Sequence, residues 1–150
     1  MTIKFYKSES PYGYLNNFDL HPISIYGDTW KTVEHAYQAQ KCVDTIDYLQ
    51  IMNAETPRIA RNLGQEVNIR DDWDDVKYHI MSDCVFAKFT QHKDLQDLLL
   101  STGDEEIIEN SPIDFYWGCG KDGTGKNMLG KILMQVRTII RNNKKNEIKK

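Results

Sequence analysis

A carboxylate, an amide and an ammonium are spaced in this chain so that one helical face would present all three. Glu34, Gln38 and Lys41 stand at positions i, i+4 and i+7 within residues 29–41, where we predict a helix capped by Thr32. Such a stripe can hold a polar ligand and transfer protons. The alternative is an ordinary solvated helix face, on which Glu34 is simply favoured in the first turn by the helix dipole.

A second polar segment, residues 114–127, is rich in glycine and leads into a helical pattern. Glycine lets backbone amides approach a ligand closely, and the N-terminus of a helix attracts anions. The segment fits the G-x-x-x-x-G-K part of a phosphate-binding loop, but Asn127 stands where Ser or Thr would bind magnesium. We therefore expect Gly118, Gly125 and Asn127 to form a phosphate or ribose cradle without a metal. A purely structural loop capped by Asn127 is the alternative.

Two tryptophans belong to these polar surroundings. Trp117 can stack on a base or cover a sugar face, or it can be an ordinary core residue. Trp73 follows Arg70 by three residues and precedes Lys77 by four, so the three form a mixed stripe that can line a pocket or lie on a helix surface. None of these signals is specific when it is taken alone.

The composition limits the classes of function that the chain can have. Its 150 residues, 40% of them hydrophobic, suit one ordinary core. The net charge of −3 gives no overall field that would attract nucleic acid or an acidic membrane. Residues 142–150 are basic, and we predict a disordered, solubilising tail there. No segment resembles a secretion signal or a membrane span, so we expect a soluble, cytoplasmic protein without a membrane partner.

Cysteine and histidine are too scattered to indicate a metal site. The three cysteines form no Cys-x-x-Cys pair, and none of the four histidines lies in a His-x-x-x-His or His-Glu-x-x-His pattern. We therefore predict no metal and no cofactor. Cys84 falls in an apolar helical pattern typical of a core, and Cys119, between glycines, is the one thiol that we would test for reactivity.

The predicted elements are short strands, then helices, then a strand and a last helix. Alternation and turn residues indicate strands at residues 3–6 and 23–26 and short extended pieces at 107–108 and 115–117. Helices are expected to begin near Val33 (with a break at Asp44), Pro57, Trp73, Asp94 and Asn127. We predict an α+β fold, a single compact, mainly helical domain with a few short strands, over residues 1–141.

Several ordered motifs together resemble the NADAR family, named for a proposed link to NAD and ADP-ribose. The first two are Leu15-Asn-Asn-Phe18 and Trp30-x-Thr-x-Glu-His-x-Tyr-Gln-Ala-x-Lys41. The later ones are Arg70-x-x-Trp73-x-x-x-Lys77, Lys88-Phe89, Leu99-Leu-x-Thr102, Asp114-x-x-Trp-Gly118, and Gly125-x-Asn-x-Leu-Gly130 followed by Leu133-Met134. The likeness runs from about Ile3 to Arg141, and the conserved order of the motifs makes it specific.

The resemblance implies an enzyme that hydrolyses a bond between ribose C1 and nitrogen. Members similar to this chain include an N-glycosidase of early riboflavin-pathway intermediates, which releases ribose 5-phosphate from a phosphoribosylamino-pyrimidine. Other members remove ADP-ribose from modified guanine in nucleic acid and serve as antitoxins. Ala36 replaces a frequent bulkier aromatic and Asn16 a frequent serine, so the resemblance leaves the choice of substrate open.

Cleavage of an N-glycosidic bond places positive charge on the sugar, so a site needs negative charge near C1 and an activated water. Glu34 and Asp114 are the two candidate carboxylates. We expect Glu34 to activate the water and Asp114 to stabilise the sugar or bind its hydroxyls, with the reverse assignment also open. Gln38 and Lys41 would position the sugar or the phosphate, and a covalent imine with Lys41 is a further alternative.

The resemblance also implies contacts with the rest of a substrate. Asn17 lies in the first motif, Trp73 or Trp117 would pack against the base, and the glycine-rich segment with Asn127 would hold phosphate. The expected partner is a small phosphoribosyl or ADP-ribosyl compound, or ADP-ribosylated nucleic acid. A non-catalytic binder of ADP-ribose or NAD is the competing class of function. A structural or interaction protein is the third class, and it would leave both polar segments unexplained.

Overall fold

The computed structural model describes residues 1–7 and 9–149, and within them it has four short strands and six α-helices. The strands are β1 (Thr2–Phe5), β2 (Ile23–Ile25), β3 (Asp28–Trp30) and β4 (Glu106–Glu109). The helices are α1 (Val33–Ala39), α2 (Thr45–Met52), α3 (Pro57–Gly64), α4 (Trp73–Gln91), α5 (Lys93–Ser101) and α6 (Met128–Lys149), and a single 3-10 turn covers Gly13–Leu15. The predicted α+β class and its mainly helical content are confirmed.

The contacts within the chain divide it into two units. We call Asn17–Lys88 the central unit, and the described residues before and after it the terminal unit. The central unit is one continuous stretch of chain, whereas the terminal unit combines the first residues with those from Phe89 onward. The proposed domain limits, 1–141 and 142–150, stay a prediction.

A tight hairpin opens the central unit. β2 pairs antiparallel with β3, with Ile23 opposite Trp30, and the connecting residues Tyr26 and Gly27 both have positive φ angles (56° and 79°). Such turns match the twist of two short strands. β3 was not predicted, because its three residues stand next to the α1 cap and carry no alternating pattern of their own.

Capping residues determine where the central helices begin. The Thr32 hydroxyl accepts a hydrogen bond from the N–H of His35 at the start of α1, and the Thr56 hydroxyl accepts one from Ile59 at the start of α3. α1 ends at Ala39 and α2 begins after Asp44, so the predicted break is confirmed. α1 packs against both α2 and α3, and this packing determines which side chains border its polar face.

A parallel strand pair and α6 form the frame of the terminal unit. β1 pairs with β4 in a register that runs from Thr2 opposite Glu106 to Phe5 opposite Glu109. α6 packs on β4, and Ile107 is fully buried. β1 and β4 are parallel, so a long stretch of chain connects them. The glycine-rich segment follows β4, and the strand pair therefore fixes the point at which this segment begins.

Two predictions about the terminal unit need correction. Residues 115–117 are bends and not an extended piece, because the Asp114 side chain closes a turn on the amides that follow it. α6 continues to Lys149, so the residues expected to form a disordered tail are helical as far as they are described. Lys150 lies outside the described residues.

Candidate active site

The polar face of α1 is buried. All seven residues of the helix are buried, and the exposed fractions of Glu34 and Gln38 are 7% and 5%. A solvated helix face, the alternative interpretation of this stripe, is therefore wrong. A buried carboxylate and a buried amide each need a polar partner, and the partners define what the site can do.

Glu34 and Gln38 are linked by a side-chain hydrogen bond. The Gln38 Nε2 group donates to Glu34 Oε1 over 2.8 Å, as expected for residues one helical turn apart. The other end of the amide, Oε1, is buried and accepts no hydrogen bond from any residue that the structure describes. The hydrogen bond therefore holds the Glu34 carboxylate in one orientation, next to a buried Gln38 oxygen that has no donor among the described residues.

Gly64 at the end of α3 makes room for this pair. A methyl group added at Gly64 would collide with the Gln38 carboxamide oxygen. Gly64 was predicted only as the end of a helix, and its contact with Gln38 could not be read from the sequence because it depends on the packing of α3 on α1.

Lys41 lies just beyond α1 with its side chain half-buried. Its Nζ atom lies 5.9 Å from the centroid of the Trp73 ring, and its carbonyl accepts a hydrogen bond of 2.9 Å from the Arg70 N–H. Burial lowers the pKa of Lys41; Glu34 opposes this shift, whereas Arg61 and Lys77 add to it. The ammonium is thus held near a carboxylate and among other cations.

Trp73 belongs to both the core and the site. It is almost buried, its ring centroid lies 5.1 Å from that of Tyr37, and it is close to Lys41. Its predicted neighbours Arg70 and Lys77 form ion pairs with Asp72 and Asp74. Both cations of the mixed stripe are thus paired within the protein, and Trp73 is its candidate substrate contact.

Asn17 supports the N-terminus of α1. Its carbonyl accepts the N–H of Glu34 at 3.2 Å, and its amide nitrogen donates to the Met81 sulfur at 3.4 Å. The same loop carries Asp19, which lies 3.3 Å from the buried Lys88. Burial lowers the pKa of Lys88 to about 8, and Asp19 opposes this shift. This ion pair fixes the loop that borders Glu34.

The Asp114 carboxylate in the terminal unit closes a turn. Oδ1 accepts hydrogen bonds from the N–H groups of Tyr116 (3.0 Å) and Trp117 (2.8 Å). The other oxygen, Oδ2, receives no hydrogen bond from the described part of the chain. Asp114 is half-buried, so one oxygen is committed to the loop and the other remains available.

The backbone amides that were expected to cradle a phosphate are already used. The N–H groups of residues 125–129 donate to loop carbonyls, over 2.7 to 3.1 Å, at Cys119, Phe115, Gly118, Tyr116 and Trp117 in that order. A cradle needs free N–H groups, so the expected cradle at this helix N-terminus is wrong for these amides. These five amides bond to carbonyls of the loop itself, and phosphate binding elsewhere in the loop stays a prediction.

Asn127 and the two predicted glycines hold this loop together. The Asn127 side chain accepts from the Glu109 N–H and donates to the Ile107 carbonyl, both over 2.9 Å. A methyl group at Gly118 would lie 2.9 Å from the Glu109 carbonyl, and one at Gly125 would collide with the Gly118 carbonyl. The Asn127 side chain therefore ties the start of α6 to β4, and a substrate contact by these three residues stays a prediction.

The remaining predicted groups of the loop are partly exposed. The Trp117 ring lies edge-on to Tyr116 with 4.7 Å between centroids, and both rings are half-buried. The Cys119 thiol donates weakly to the Asn110 side chain at 3.4 Å. Cys84, by contrast, is fully buried as predicted, and burial raises the pKa of its thiol.

The structure thus groups the predicted site residues into two sets. Within the central unit it brings Glu34, Gln38, Lys41 and Trp73 together, with Asn17 at the start of α1. Within the terminal unit, Asp114, Trp117, Gly118, Gly125 and Asn127 share one loop. The sequence reasoning missed Arg61, whose only signal was its position one turn before Gly64.

Comparison with known proteins gives consistent matches over nearly the whole chain. A family profile described as NADAR domain matches residues 4–141. An N-glycosidase of Nostoc punctiforme is 50% identical over 147 residues, covering 95% of this chain and 94% of that protein. The N-glycosidase YbiA of Escherichia coli is 39% identical over 137 residues, covering 90% of this chain and 86% of that protein.

Structural and longer relatives agree with these matches. The NMR structure of the E. coli protein YbiA has a TM-score of 0.89 and 38% identity, and the match covers 96% of this chain and 87% of that one. A riboflavin biosynthesis protein of Vibrio vulnificus is 41% identical over 90% of this chain, although the match covers only 37% of that protein. Among the described residues, no helix is long and apolar enough to cross a membrane.

Proposed function

This chain belongs to the NADAR domain family, and on that premise we propose that it hydrolyses the bond between ribose C1 and nitrogen in a phosphoribosylamino-pyrimidine. The family membership and the enzyme class, a hydrolase of N-glycosyl compounds, confirm two predictions made from the sequence. The particular substrate is the proposal. It is supported by the relatives named as riboflavin biosynthesis proteins, in each of which one segment resembles this whole chain.

The observation that carries the proposal is the buried Glu34–Gln38 pair. Glu34 is held by the 2.8 Å hydrogen bond from Gln38, so its carboxylate is oriented before a substrate arrives. A fixed carboxylate in a water-poor site can take a proton from an attacking water and oppose the positive charge that develops on the sugar. A positioned general base contributes on the order of 10²–10⁴ in rate.

The other residues of the central unit suit the binding of a sugar. The Gln38 amide nitrogen keeps the Glu34 carboxylate oriented for a sugar, while the Gln38 oxygen is buried against Gly64. Lys41 can position an oxygen of the sugar or phosphate, and the edge of Trp73 beside it can pack on the base. Asn17 contributes by supporting the helix turn that carries Glu34.

Asp114 is proposed to act on the developing cation through its open oxygen. Its Oδ1 atom is committed to the loop, so only Oδ2 can bind a ribose hydroxyl or face the sugar. Trp117 is proposed as a second surface for the base.

Mass spectrometry of two parallel reactions tests the proposal. One contains the phosphoribosylamino-pyrimidine intermediate of riboflavin synthesis, the other DNA or RNA with ADP-ribosylated guanine, and each is also run with the Glu34→Gln variant. We expect release of ribose 5-phosphate from the first by the wild-type chain only. Release of ADP-ribose with restored guanine, and none from the first substrate, would replace the proposal by nucleic-acid repair. Tight ADP-ribose binding without any product would indicate a non-catalytic binder.

A further inference from the structure

Two cations from neighbouring helices border the buried Gln38. Lys41 follows Gln38 by three residues, just past the end of α1. Arg61 precedes Gly64 by three residues in α3, so both lie on the same face of that helix. Because Gly64 contacts the Gln38 side chain directly, this face of α3 is the one turned toward α1. Arg61 therefore lies on the face of α3 that is packed against α1, and Lys41 follows the end of α1 closely enough for the two charges to interact.

Neither cation forms an ion pair with a described residue. In the described chain, no carboxylate lies within ion-pair distance of Lys41 or Arg61, whereas the nearby Arg70 and Lys77 are paired with their own aspartates. Both side chains are only partly exposed. Two partly buried, unpaired cations attract an anion more strongly than paired surface cations do, because solvent screens them less.

In the terminal unit, the loop amides nearest the start of α6 are already used. The amides of residues 125–129 are all donated to loop carbonyls, and the Asn127 amide is donated to β4. A phosphorylated substrate still needs donors for three phosphate oxygens. Lys41 and Arg61 can supply such donors beside α1, since they combine a point charge with a planar fork.

The position of these cations along the chain suits a ribose 5-phosphate. Phosphate and C1 lie at opposite ends of the sugar, so a phosphate site has to be separated from the base that acts at C1. Glu34 lies in the first turn of α1 and Lys41 lies two residues past its last residue, so the two groups come from opposite ends of this short helix.

We infer that Arg61, together with Lys41, binds the phosphate monoester of the substrate and makes the enzyme selective for phosphorylated N-glycosides. The inference deepens the proposed function and rests on it. The lowered pKa of Lys41, to which burial contributes most and the charge of Arg61 also contributes, agrees with two cations that a bound dianion would stabilise. Arg61 acts here as a specificity-determining residue.

Steady-state kinetics on a matched pair of substrates tests this inference. The phosphoribosylamino-pyrimidine and its dephosphorylated riboside are compared for the wild-type chain, Arg61→Gln, Arg61→Lys and the control Arg58→Gln. Arg58 lies one turn earlier on α3 and is exposed. For Arg61→Gln we expect KM for the phosphorylated substrate to rise about 10- to 100-fold, with kcat/KM for the riboside unchanged. Arg61→Lys should restore part of the affinity, and Arg58→Gln should match the wild type.

A second measurement separates failure of this inference from failure of the proposed function. Inorganic phosphate should raise the melting temperature of the wild-type chain and of Arg58→Gln, but not that of Arg61→Gln. If the wild-type chain cleaves the phosphorylated substrate and Arg61→Gln does so with the same KM, the inference is overturned while the function stands. If the wild-type chain cleaves neither substrate, the proposed function fails, and the phosphate shift alone decides whether the anion site exists.

Discussion

The polar face of α1 and the glycine-rich loop attract attention in the sequence for the same reason, yet the folded protein uses them differently. In the loop, the carboxamide of Asn127 and five successive amides are all bonded within the terminal unit. On the α1 face, the Gln38 oxygen and the Lys41 ammonium keep bonding capacity within the described structure. A polar residue therefore indicates a ligand site only when the fold leaves part of its hydrogen-bonding capacity unused.

The free-energy cost of an unpaired buried amide explains why the two regions differ in their hydrogen bonding. A buried amide without a partner is unfavourable, so a loop with many N–H groups tends to fold back on its own carbonyls. A helix satisfies its own backbone, which leaves the side chains of α1 free to point at a ligand from a rigid support. The glycine loop can therefore act by placing Asp114 and Trp117, and α1 by binding directly.

The largest expected effect comes from the two carboxylates. Glu34→Gln keeps the shape of the side chain and should lower kcat about 10²–10⁴-fold with the fold and substrate affinity retained. Asp114→Asn keeps the Oδ1 acceptor for its turn, so it should also lower kcat without unfolding the loop. Asp122→Asn is the matched control, because Asp122 closes a similar turn on Thr124 in an exposed part of the same loop. Wild-type turnover by either of the first two variants would remove that residue from the catalytic site.

Asn127→Ala should have the next largest effect, and on stability. The substitution leaves the Glu109 N–H and the Ile107 carbonyl without their bonds and puts alanine at a φ of 52°, so we expect a loss of about 2–4 kcal/mol in the free energy of unfolding. Urea denaturation measures it. Thr124→Ala, which removes an exposed hydrogen bond, should change the midpoint little. An Asn127→Ala chain as stable as the wild type, with a raised KM, would return Asn127 to the ligand-binding residues.

Gly64→Ala should give the smallest effect, and on activity. The added methyl collides with the end of the flexible Gln38 side chain, which can move, so stability should change little while kcat/KM falls about tenfold. The double variant Gly64→Ala with Gln38→Ala tests the route of this effect. If Gly64 acts through Gln38, the double variant should have the same kcat/KM as Gln38→Ala alone. Additive losses would show that Gly64 acts elsewhere.

Local signals in the sequence were sufficient for most elements and for one pair of residues in the candidate site. Thr32, and Thr56 with Pro57, identified the starts of α1 and α3, since caps act within a few residues. The i, i+4 spacing of Glu34 and Gln38 correctly placed them side by side. The role of Arg61 and the contact of Gly64 with Gln38 depend on how α3 packs against α1, and no short-range pattern encodes that packing. The occupied loop amides were missed for the same reason, because their acceptors lie up to twelve residues away.

The parallel pairing of β1 with β4 has a consequence for the order in which the protein is made. β1 leaves the ribosome early, but its partner follows about a hundred residues later, which at 5–20 residues per second is a wait of roughly 5–20 s. The central unit is one continuous stretch, so every residue that it needs is synthesised within that interval. The segment that carries Glu34, Lys41 and Arg61 can therefore fold while β1 still lacks β4, the strand with which it pairs.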